Sequence, residues 1–431
     1  MDEQSISSGV DPLSPDENSN DSPEKMPGED PVPLQEAPRE RRHSSHSIVR
    51  IITSDIENEL RVIPSIQEKE VEYEIGPLEP QFWKPQNIMS VEDTPFSRRY
   101  LVLLEVIFGS VLGNMARIGM TLLTSYSNEY INYHPGTCLW SNFSACFVMA
   151  WCNHAAYFWH NILRNSGKTN MKQVALHTGI TAGFCGSFST WSSLLIEVLF
   201  KTLDGLNGGN LLPNHGYGVM EFFSVLLVQM GVSFLGYLLG KDFAALLDIW
   251  SVSRKLSTWF NYRICRAIEL TTSFLGIAAL IADLVVGLTI PLDTTWKTKY
   301  AFSLIFGAFG AVLRFRLSKY NGSFGLDWFP SGTLMANVMS CTLISILYLL
   351  LYGIKGAATI VTGQVHRMIV NAFSAGFCGA LSTTSSFVNE LYNLDYPFQR
   401  YGYFSVTFLI CFLIMLLIDG PYFWTKGFIE S

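Results

Sequence analysis

The chain has 431 residues, of which 49% are hydrophobic and only 15% are charged, and its formal net charge is -7. The stretch up to residue 97 is strongly polar, so the remainder must be apolar enough to exclude an ordinary soluble domain. The negative net charge gives no basis for a nucleic-acid partner.

The amino-terminal tail, residues 1–97, is predicted to be disordered and acidic. Its segment SPDENSNDSPEKMPGEDP mixes Pro, Ser, Asp and Glu, a composition that cannot bury enough apolar surface to fold alone. Further along, RERRHSSHS places Ser44 and Ser45 after three arginines, which suggests a phosphorylation site for a basophilic kinase. The alternative is an ordinary basic patch near a membrane face.

Apolar segments long enough to cross a membrane follow the tail, because a hydrocarbon core about 30 Å thick requires about 20 apolar residues in a helix. The pattern predicts an all-α membrane protein with nine transmembrane helices, surrounded by membrane lipid. The predicted spans lie near 100–124, 136–162, 171–200, 218–240, 267–290, 299–318, 331–353, 368–392 and 402–424.

The loops between these spans predict the orientation of the chain. Lys and Arg residues are more numerous in the loops on the side of the amino terminus, and such loops favour the cytoplasm. We therefore predict a multi-pass protein of the plasma membrane with a cytoplasmic amino terminus and an extracellular carboxyl terminus.

Four sequence blocks occur twice in the same order. GNMAR, GTCLWSN, GFCGSFSTWSSLLIE and FFSV in the first half are matched by GAVLR, GTLMAN, GFCGALSTTSSFVNE and YFSV in the second. The halves, 98–241 and 299–431, are predicted to be homologous four-helix repeats. The linker 242–298 contains one further span, which would invert the second repeat relative to the first.

Two polar residue types recur inside the apolar spans. Arg117 and Arg314 each end a GxxxR block, and they suggest a positively charged vestibule for an anion; the alternative is an interfacial Arg. Asn142 and Asn337 each end a GT block. These amides could join helices or could donate N–H groups to an anion, and the sequence leaves both readings open.

The GFCG blocks combine paired glycines with a run of hydroxyl residues. This composition weakens an α-helix, and opened backbone carbonyls at membrane depth must be buried or bound. A broken helix that meets its twin would bring together carbonyls suited to a monovalent cation. The hydroxyls that could line an anion pathway are Thr190, Ser192, Thr383 and Ser385.

Together the blocks resemble the fluoride channels of the Fluc/CrcB type, and the fused arrangement resembles the eukaryotic fluoride exporters. The resemblance implies a central structural sodium ion and no organic cofactor. It also implies a functional monomer, since the fused halves would replace a dimer. The sodium ligands that it implies are backbone carbonyls at the helix breaks, assigned to Gly186, Ser187, Gly379 and Ala380.

The family pattern TTFSTF supplies two phenylalanines per copy, and here each copy keeps one aromatic residue. STWSSL contains Trp191 and Leu194, whereas STTSSF contains Thr384 and Phe387. In the family arrangement, one pore would receive Trp191 and Phe387 and the other Thr384 and Leu194. We therefore predict one conducting pore and one degenerate pore.

The resulting prediction is a passive fluoride channel that exports fluoride and confers fluoride resistance. One alternative is a fluoride/proton antiporter, for which Glu105, Glu197 and Glu390 are the carboxylates to consider. Glu197 and Glu390 are expected to lie at helix ends in contact with solvent. A non-conducting structural relative is the other alternative. Neither a GxSxG sequence beside a suitable His nor a phosphate-binding loop is present, so an enzyme or a pump is not predicted.

Overall fold

The computed structural model describes residues 95–126, 136–166, 168, 170–203, 212–214, 216–289, 301–323, 325–356 and 358–428. All of them belong to one compact unit, Pro85–Ser431. The predicted tail up to residue 94, with Ser44 and Ser45, lies outside the described residues.

The described part is almost entirely helical. The helices are α1 (Pro95–Leu123), α2 (Leu139–His154), α3 (Ala156–Ser166), α4 (Ala175–Thr202), α5 (Tyr217–Ile249), α6 (Val252–Trp259), α7 (Tyr262–Thr289), α8 (Ser303–Leu317), α9 (Ser331–Tyr352), α10 (364–393) and α11 (Pro397–Lys426). Short 3₁₀ turns cover Met171–Gln173 and Ser318–Tyr320. A two-residue hairpin, β1 (Ile354–Lys355) and β2 (Ala358–Thr359), follows α9.

Six helices within the described ranges are long and apolar enough to cross a membrane: α1, α4, α5, α7, α9 and α11. The prediction of nine spans is therefore met only in part. The predicted span 136–162 is divided at Ala155 into α2 and α3, because Ala155 has a non-helical ψ of 56°. The predicted span 299–318 corresponds to α8, which has 15 residues. The total of nine stays a prediction.

Helices α4 and α10, which carry the GFCG blocks, are broken in the same way. Each contains a π-helical segment, Gly179–Cys185 in α4 and Phe373–Cys378 in α10. Each then leaves the helical conformation for two residues, Ser189–Thr190 in α4 and Ser382–Thr383 in α10. Thr190 and Thr383 cap the next segment, since their side chains accept hydrogen bonds from the N–H groups of the third residue beyond them.

The breaks at Ser189–Thr190 and Ser382–Thr383 lie beyond the positions predicted for them, Gly186–Ser187 and Gly379–Ala380. Gly186 and Gly379 keep helical backbone angles, φ -66° and -62°, and the three-residue helical segments that they begin include Ser187 and Ala380. The chain leaves the helix only after these segments, because Thr190 and Thr383 form N-caps there.

The broken helix α4 lies at the centre of the protein, whereas α7 lies at its edge. In the most apolar window of α4, 89% of the residues are buried, compared with 17% for α7. Helices α1 and α4 approach closely at glycine: a Cβ on Gly109 would stand 2.1 Å from the carbonyl oxygen of Gly179. The contact brings α1, and with it Arg117, against the π-helical segment of α4.

Candidate functional site

The two helix breaks lie against each other and exchange hydrogen bonds. Ser385 N–H donates to Ser189 Oγ at 3.0 Å, and Ser192 N–H donates to Ser382 Oγ at 3.2 Å. Ser189 Oγ also donates to Ser385 Oγ at 2.9 Å. All four serines are fully buried. A serine hydroxyl at each break therefore accepts a hydrogen bond from a backbone N–H in the first turn of the helical segment that follows the break in the other half.

Asn142 and Asn337 each hold one break in place. Thr190 N–H donates to Asn142 Oδ1 at 2.8 Å, and Thr383 N–H donates to Asn337 Oδ1 at 3.0 Å. Asn142 Nδ2 donates to the carbonyl oxygen of Thr190 at 3.3 Å. No acceptor in the described part of the chain takes a hydrogen bond from the buried Asn337 Nδ2. The first asparagine thus joins helices, and the second also presents an unpaired donor.

These asparagine contacts free a backbone carbonyl in each broken helix. In a regular α-helix, Gly186 C=O would accept a hydrogen bond from Thr190 N–H. Because that N–H is bound to Asn142, the carbonyl is open to another donor, and Arg314 Nη1 donates to it.

The arginines bind the opened carbonyls of both halves. Arg314 Nη1 donates to Gly186 O and Ala380 O, so a carbonyl from each half meets at one nitrogen atom. Arg117 Nε donates to Ser187 O at 3.0 Å. Both arginines are buried, with 5% of their surfaces exposed. Three of the four carbonyls predicted to bind sodium therefore accept hydrogen bonds from guanidinium groups.

Trp191 and Phe387, the aromatic residues predicted to share a pore, are in contact. Their ring centroids are 4.6 Å apart, and both side chains are fully buried. The Phe387 ring also lies 4.9 Å from that of Tyr403 on α11. Trp191 Nε1 is buried, and no described residue accepts a hydrogen bond from it. An unmade hydrogen bond at a buried donor costs about 1–3 kcal/mol, so this N–H is available to a ligand.

The other pair, Thr384 and Leu194, is also fully buried. Leu194 provides no polar atom beyond its backbone, and Thr384 Oγ1 has no hydrogen-bond partner among the described residues. This pair therefore lacks both the aromatic ring edges and the indole N–H of the first pair.

A cavity of about 140 Å³ opens beside the first helix break. Arg117, Thr190, Ser193 and Glu197 line one side of it, and residues of α9 and α10 line the other. The cavity thus places a buried arginine and the cap residue Thr190 around one space, and Asn142 Nδ2 donates to the carbonyl oxygen of Thr190. Arg367 contributes a second cationic residue to the lining.

The carboxylate of Glu197 is buried, which corrects the expectation that it contacts solvent, whereas Glu390 is only partly buried. Glu197 is 1% exposed, and it accepts hydrogen bonds from Cys138 N–H at 2.6 Å and Gln229 Nε2 at 2.5 Å. Glu390 is partly buried and accepts from Tyr403 Oη at 2.8 Å and Thr333 Oγ1 at 2.6 Å. Both lie inside helical segments that pack against neighbouring helices.

The sequence places Ser189 and Ser382 in the hydroxyl runs of the GFCG blocks and Tyr403 at the start of YFSV, but it predicts no individual role for these residues or for Thr407. Tyr403, Thr407 and Cys411 occur at a spacing of four residues on α11, and all three are fully buried. Thr407 Oγ1 has no hydrogen-bond partner in the described ranges. At the matching positions after FFSV, the first half has Phe222, Leu226 and Met230. This difference between the repeats was the signal that could have identified the polar face of α11.

The sequence of this chain matches a family of known proteins. The family described as CrcB-like protein, Camphor Resistance (CrcB), matches the chain twice, over residues 104–240 and 301–418. The two matches cover more than half of the chain, and they fall within the ranges 98–241 and 299–431.

Individual relatives agree with the family match. Fluoride export protein 1 of Candida albicans is 33% identical over 331 residues, which cover 76% of this chain and 81% of that protein. Fluoride export protein 1 of Saccharomyces cerevisiae is 30% identical, covering 74% of this chain and 92% of that protein. The fluoride-specific ion channel FluC of Thermosipho melanesiensis is 31% identical over 131 residues, 29% of this chain and 98% of its own length. No solved structure gives a significant match.

Proposed function

This chain belongs to the CrcB-like family, as a member that carries two copies of the domain, and on that premise we propose that it is a passive fluoride channel that exports fluoride from the cytosol. The observation that carries the proposal is the unpaired, buried indole N–H of Trp191 beside the ring of Phe387. The activity is transport, and it requires no catalytic residue and no organic cofactor.

The direction of transport follows from the chemistry of fluoride. Neutral HF enters from an acidic exterior and dissociates at cytosolic pH, which traps the anion inside. A membrane potential that is negative inside favours anion exit by about 2.3 kcal/mol per 100 mV. A passive pathway is therefore sufficient for export and for fluoride resistance.

The pathway must replace the water that fluoride loses on entering a buried site. Arg117 supplies positive charge at the 140 Å³ cavity, and Thr190 supplies a hydroxyl at its inner end. The Trp191 N–H can donate to the anion directly. The ring edge of Phe387 carries partial positive charge that can face it. The hydroxyls of Ser192 and Ser385 form hydrogen bonds with those of Ser382 and Ser189, and these bonds join the two breaks.

We further propose that only the pathway with Trp191 and Phe387 conducts. Phe387 packs on Tyr403, the first residue of the buried polar face that continues through Thr407. The matching positions of α5 are apolar, with Phe222 in place of Tyr403 and Leu226 in place of Thr407. The Thr384 and Leu194 pathway thus lacks a continuous series of donors.

Fluoride efflux from proteoliposomes tests this assignment. We expect Phe387→Ile to lower efflux by more than about tenfold, equivalent to 1.4 kcal/mol of lost interaction. Thr384→Ile, the matched variant in the other pair, should leave efflux close to that of the original chain. Loss of efflux with Thr384→Ile alone would show that the pathways have been assigned the wrong way round. Loss with neither variant would refute a role in conduction for both Phe387 and Thr384.

Fluoride/proton antiport is the second candidate, because Glu197 is a buried carboxylate beside the cavity. An antiporter would acidify or alkalinise the liposome interior in proportion to fluoride movement, whereas a channel would not. We expect fluoride flux through the original chain to be independent of an imposed pH gradient at a constant concentration of fluoride anion, as in Glu197→Gln. Flux that follows the pH gradient in the original chain and not in Glu197→Gln would instead support antiport.

We also propose a cation-binding role for the carbonyls at the helix breaks. Gly186 O and Ala380 O are hard oxygen donors from different halves, and Arg314 Nη1 contacts both. A sodium ion would use these oxygens together with those of Ser187 and Gly379, and it would neutralise their partial negative charges in place of the guanidinium. Replacing sodium by N-methylglucamine should then lower the melting temperature of the purified protein. An unchanged melting temperature would leave the guanidinium groups of Arg314 and Arg117 as the cations that bind these carbonyls.

The protein is a multi-pass membrane protein, because several of its helices are long and apolar enough to cross a membrane. We propose that it functions as a monomer in the plasma membrane, with a cytoplasmic amino terminus and an inverted second repeat. The reciprocal bonds of Ser189 with Ser385 and of Ser192 with Ser382 support a twofold relation between the repeats. Antibody access to terminal tags in intact cells tests the orientation, and light scattering in detergent tests the mass.

A further inference from the structure

A second cavity, apart from the helix breaks, lies between α2, α3, α4, α5 and α6. Its volume is about 250 Å³. The side chains around it are almost all apolar, and Ser253 is the only hydroxyl residue among them. The residues used in the argument below are Val148, Trp151, Leu176, Ile180 and Leu256. Water would find almost no hydrogen-bond partners here, and apolar cavities of this kind bind apolar ligands.

The cavity is partly open, and the residues at its rim are those typical of a membrane interface. Trp151 lines the cavity and is 37% exposed. Close to the lining residues of α6 along the chain, Trp250 before the helix and Trp259 at its last position are 64% and 79% exposed. Trp and Tyr concentrate where hydrocarbon meets head groups. The rim is therefore expected to lie at the depth where acyl chains begin.

Helix α6 adds positive charge to this rim. The chain turns into α6 at Ser251, which has a left-handed φ of 57°. Ser253 and Leu256 then line the cavity, while Arg254 and Lys255 between them are exposed. The Arg254 guanidinium lies 5.1 Å from the centre of the Tyr157 ring on α3. An exposed basic face and an apolar face on one short helix are typical of helices that lie in the membrane surface.

We propose that this cavity binds one acyl chain of an anionic phospholipid, with the lipid head group at Arg254 and Lys255. The apolar lining selects the chain, and the two cations select a negatively charged head group. Each Lys or Arg near an anionic membrane surface adds to the attraction. Arg263, exposed at the start of α7, is the next cation along the chain.

The site belongs to the first half alone and goes beyond fluoride conduction. In the first half, α2 is followed by α3, which forms part of the cavity wall. In the second half, α9 is followed instead by the hairpin of β1 and β2. Leu176 and Ile180, which line the cavity, belong to the helical and π-helical parts of α4 that lead to the first break. A bound chain therefore packs against the element that presents Ala182 O to Arg314.

A photoreactive phospholipid tests the proposal directly. The full chain is reconstituted in phosphatidylcholine liposomes with a small amount of phosphatidylserine that carries a diazirine in one acyl chain. Labelled peptides are then mapped by mass spectrometry. We expect labelling of the segments around Val148–Trp159 and Val252–Phe260, and we expect unlabelled phosphatidylserine to compete better than phosphatidylcholine.

Two kinds of variant separate the chain site from the charge site. Val148→Phe fills the cavity and should abolish the mapped labelling, whereas Val148→Ile adds one methylene and should retain it. The double variant Arg254→Gln with Lys255→Gln should lower labelling by about tenfold, because two cations near the surface are lost. The control pair Arg316→Gln with Lys319→Gln removes two exposed cations from the second half and should have no effect. Size-exclusion profiles verify that each variant is folded.

Three results would overturn the proposal. Equal labelling by a phosphatidylcholine probe would remove the requirement for an anionic head group. Labelling that persists in Val148→Phe, while this variant elutes as a folded protein, would mean that the chain lies outside the cavity. Displacement by inorganic phosphate as effective as that by phosphatidylserine would assign Arg254 and Lys255 to a free anion.

Discussion

A single hydrogen bond at each helix break determines which backbone carbonyl can accept a hydrogen bond from outside the helix. Thr190 N–H donates to Asn142, and Thr383 N–H donates to Asn337, instead of closing a helical turn. The freed carbonyls lie beside guanidinium groups, and this arrangement leaves no room for a side chain at the glycines. A Cβ on Gly186 would stand 2.4 Å from Arg314 Nη2, and one on Gly379 would stand 2.2 Å from Arg117 Nη1.

The variant Gly186→Ala should therefore destabilise the protein although its backbone angles are helical. Displacing the guanidinium of Arg314 breaks buried hydrogen bonds, and overpacking of this kind costs about 1–3 kcal/mol. The melting temperature of the purified protein measures the effect, and fluoride efflux should fall with it. Gly402→Ala on α11 is the matched control, because a Cβ there would meet no atom within 4 Å. Equal melting temperatures for the two variants would contradict the close contact at Gly186.

At the scale of helices, α7 does more than connect the repeats. Glu105 of α1 accepts hydrogen bonds from Thr272 Oγ1 at 2.6 Å and Ser273 Oγ at 3.1 Å. Near the other end of α7, Asp283 Oδ2 accepts from Ile305 N–H, in the first turn of α8, at 3.3 Å. Phe302, the residue before α8, provides no side-chain cap. Helix α7 therefore binds the first helix of each half.

Replacing Asp283 tests this role because α8 depends on another helix for its cap. Asp283→Ala should lower the free energy of unfolding by about 1 kcal/mol, the usual value for a lost N-cap. Asp283→Asn retains an oxygen acceptor and should lose less. The exposed Asp242→Ala serves as the control for charge removal on a neighbouring helix. Melting temperatures that fall equally for Asp283→Asn and Asp283→Ala would point to the charge, and not the cap.

Each of the six helices long and apolar enough to cross a membrane overlaps a span predicted from the sequence, because hydropathy detects long apolar runs. The predicted 267–290 and 331–353 correspond to Tyr262–Thr289 and Ser331–Tyr352. The break at Ala155 and the caps at Thr190 and Thr383 are local departures within apolar runs, where hydropathy carries no signal. The sequence pairing of Trp191 with Phe387 matches their contact in the structure, and their role in conduction stays a prediction.

Other parts of the site depend on tertiary contacts that no local pattern encodes. Ser189 and Ser385 are 196 residues apart, and their bond exists only because both breaks occur at the same depth. The burial of Glu197 likewise depends on Gln229 and Cys138, which come from two other helices. Residue type alone predicts a solvated carboxylate at such a position.

The whole molecule is held together at its centre by bonds between the halves. Ser192 Oγ and Ser382 Oγ are 2.9 Å apart, and Arg314 donates to carbonyls of both halves. A dimer of half-length chains would need two copies to form this centre. A fused chain forms it within one molecule, provided that the second half folds against the first half of the same chain and does not exchange with a neighbouring molecule.

A cross-link between the halves distinguishes these arrangements. The double variant Ser192→Cys with Ser382→Cys should form a disulfide with a membrane-permeable oxidant, because the present Oγ atoms are close enough for sulfurs to bond after a small shift. With a protease site inserted between α7 and α8, the cleaved halves should remain joined on a non-reducing gel and separate after reduction. The original chain, whose eight cysteines are buried, and the two single variants should separate without reduction. In the oxidised sample before protease treatment, a band at twice the mass of the chain would indicate exchange of halves between molecules. After protease treatment, halves that separate under oxidising conditions would contradict the contact between the breaks.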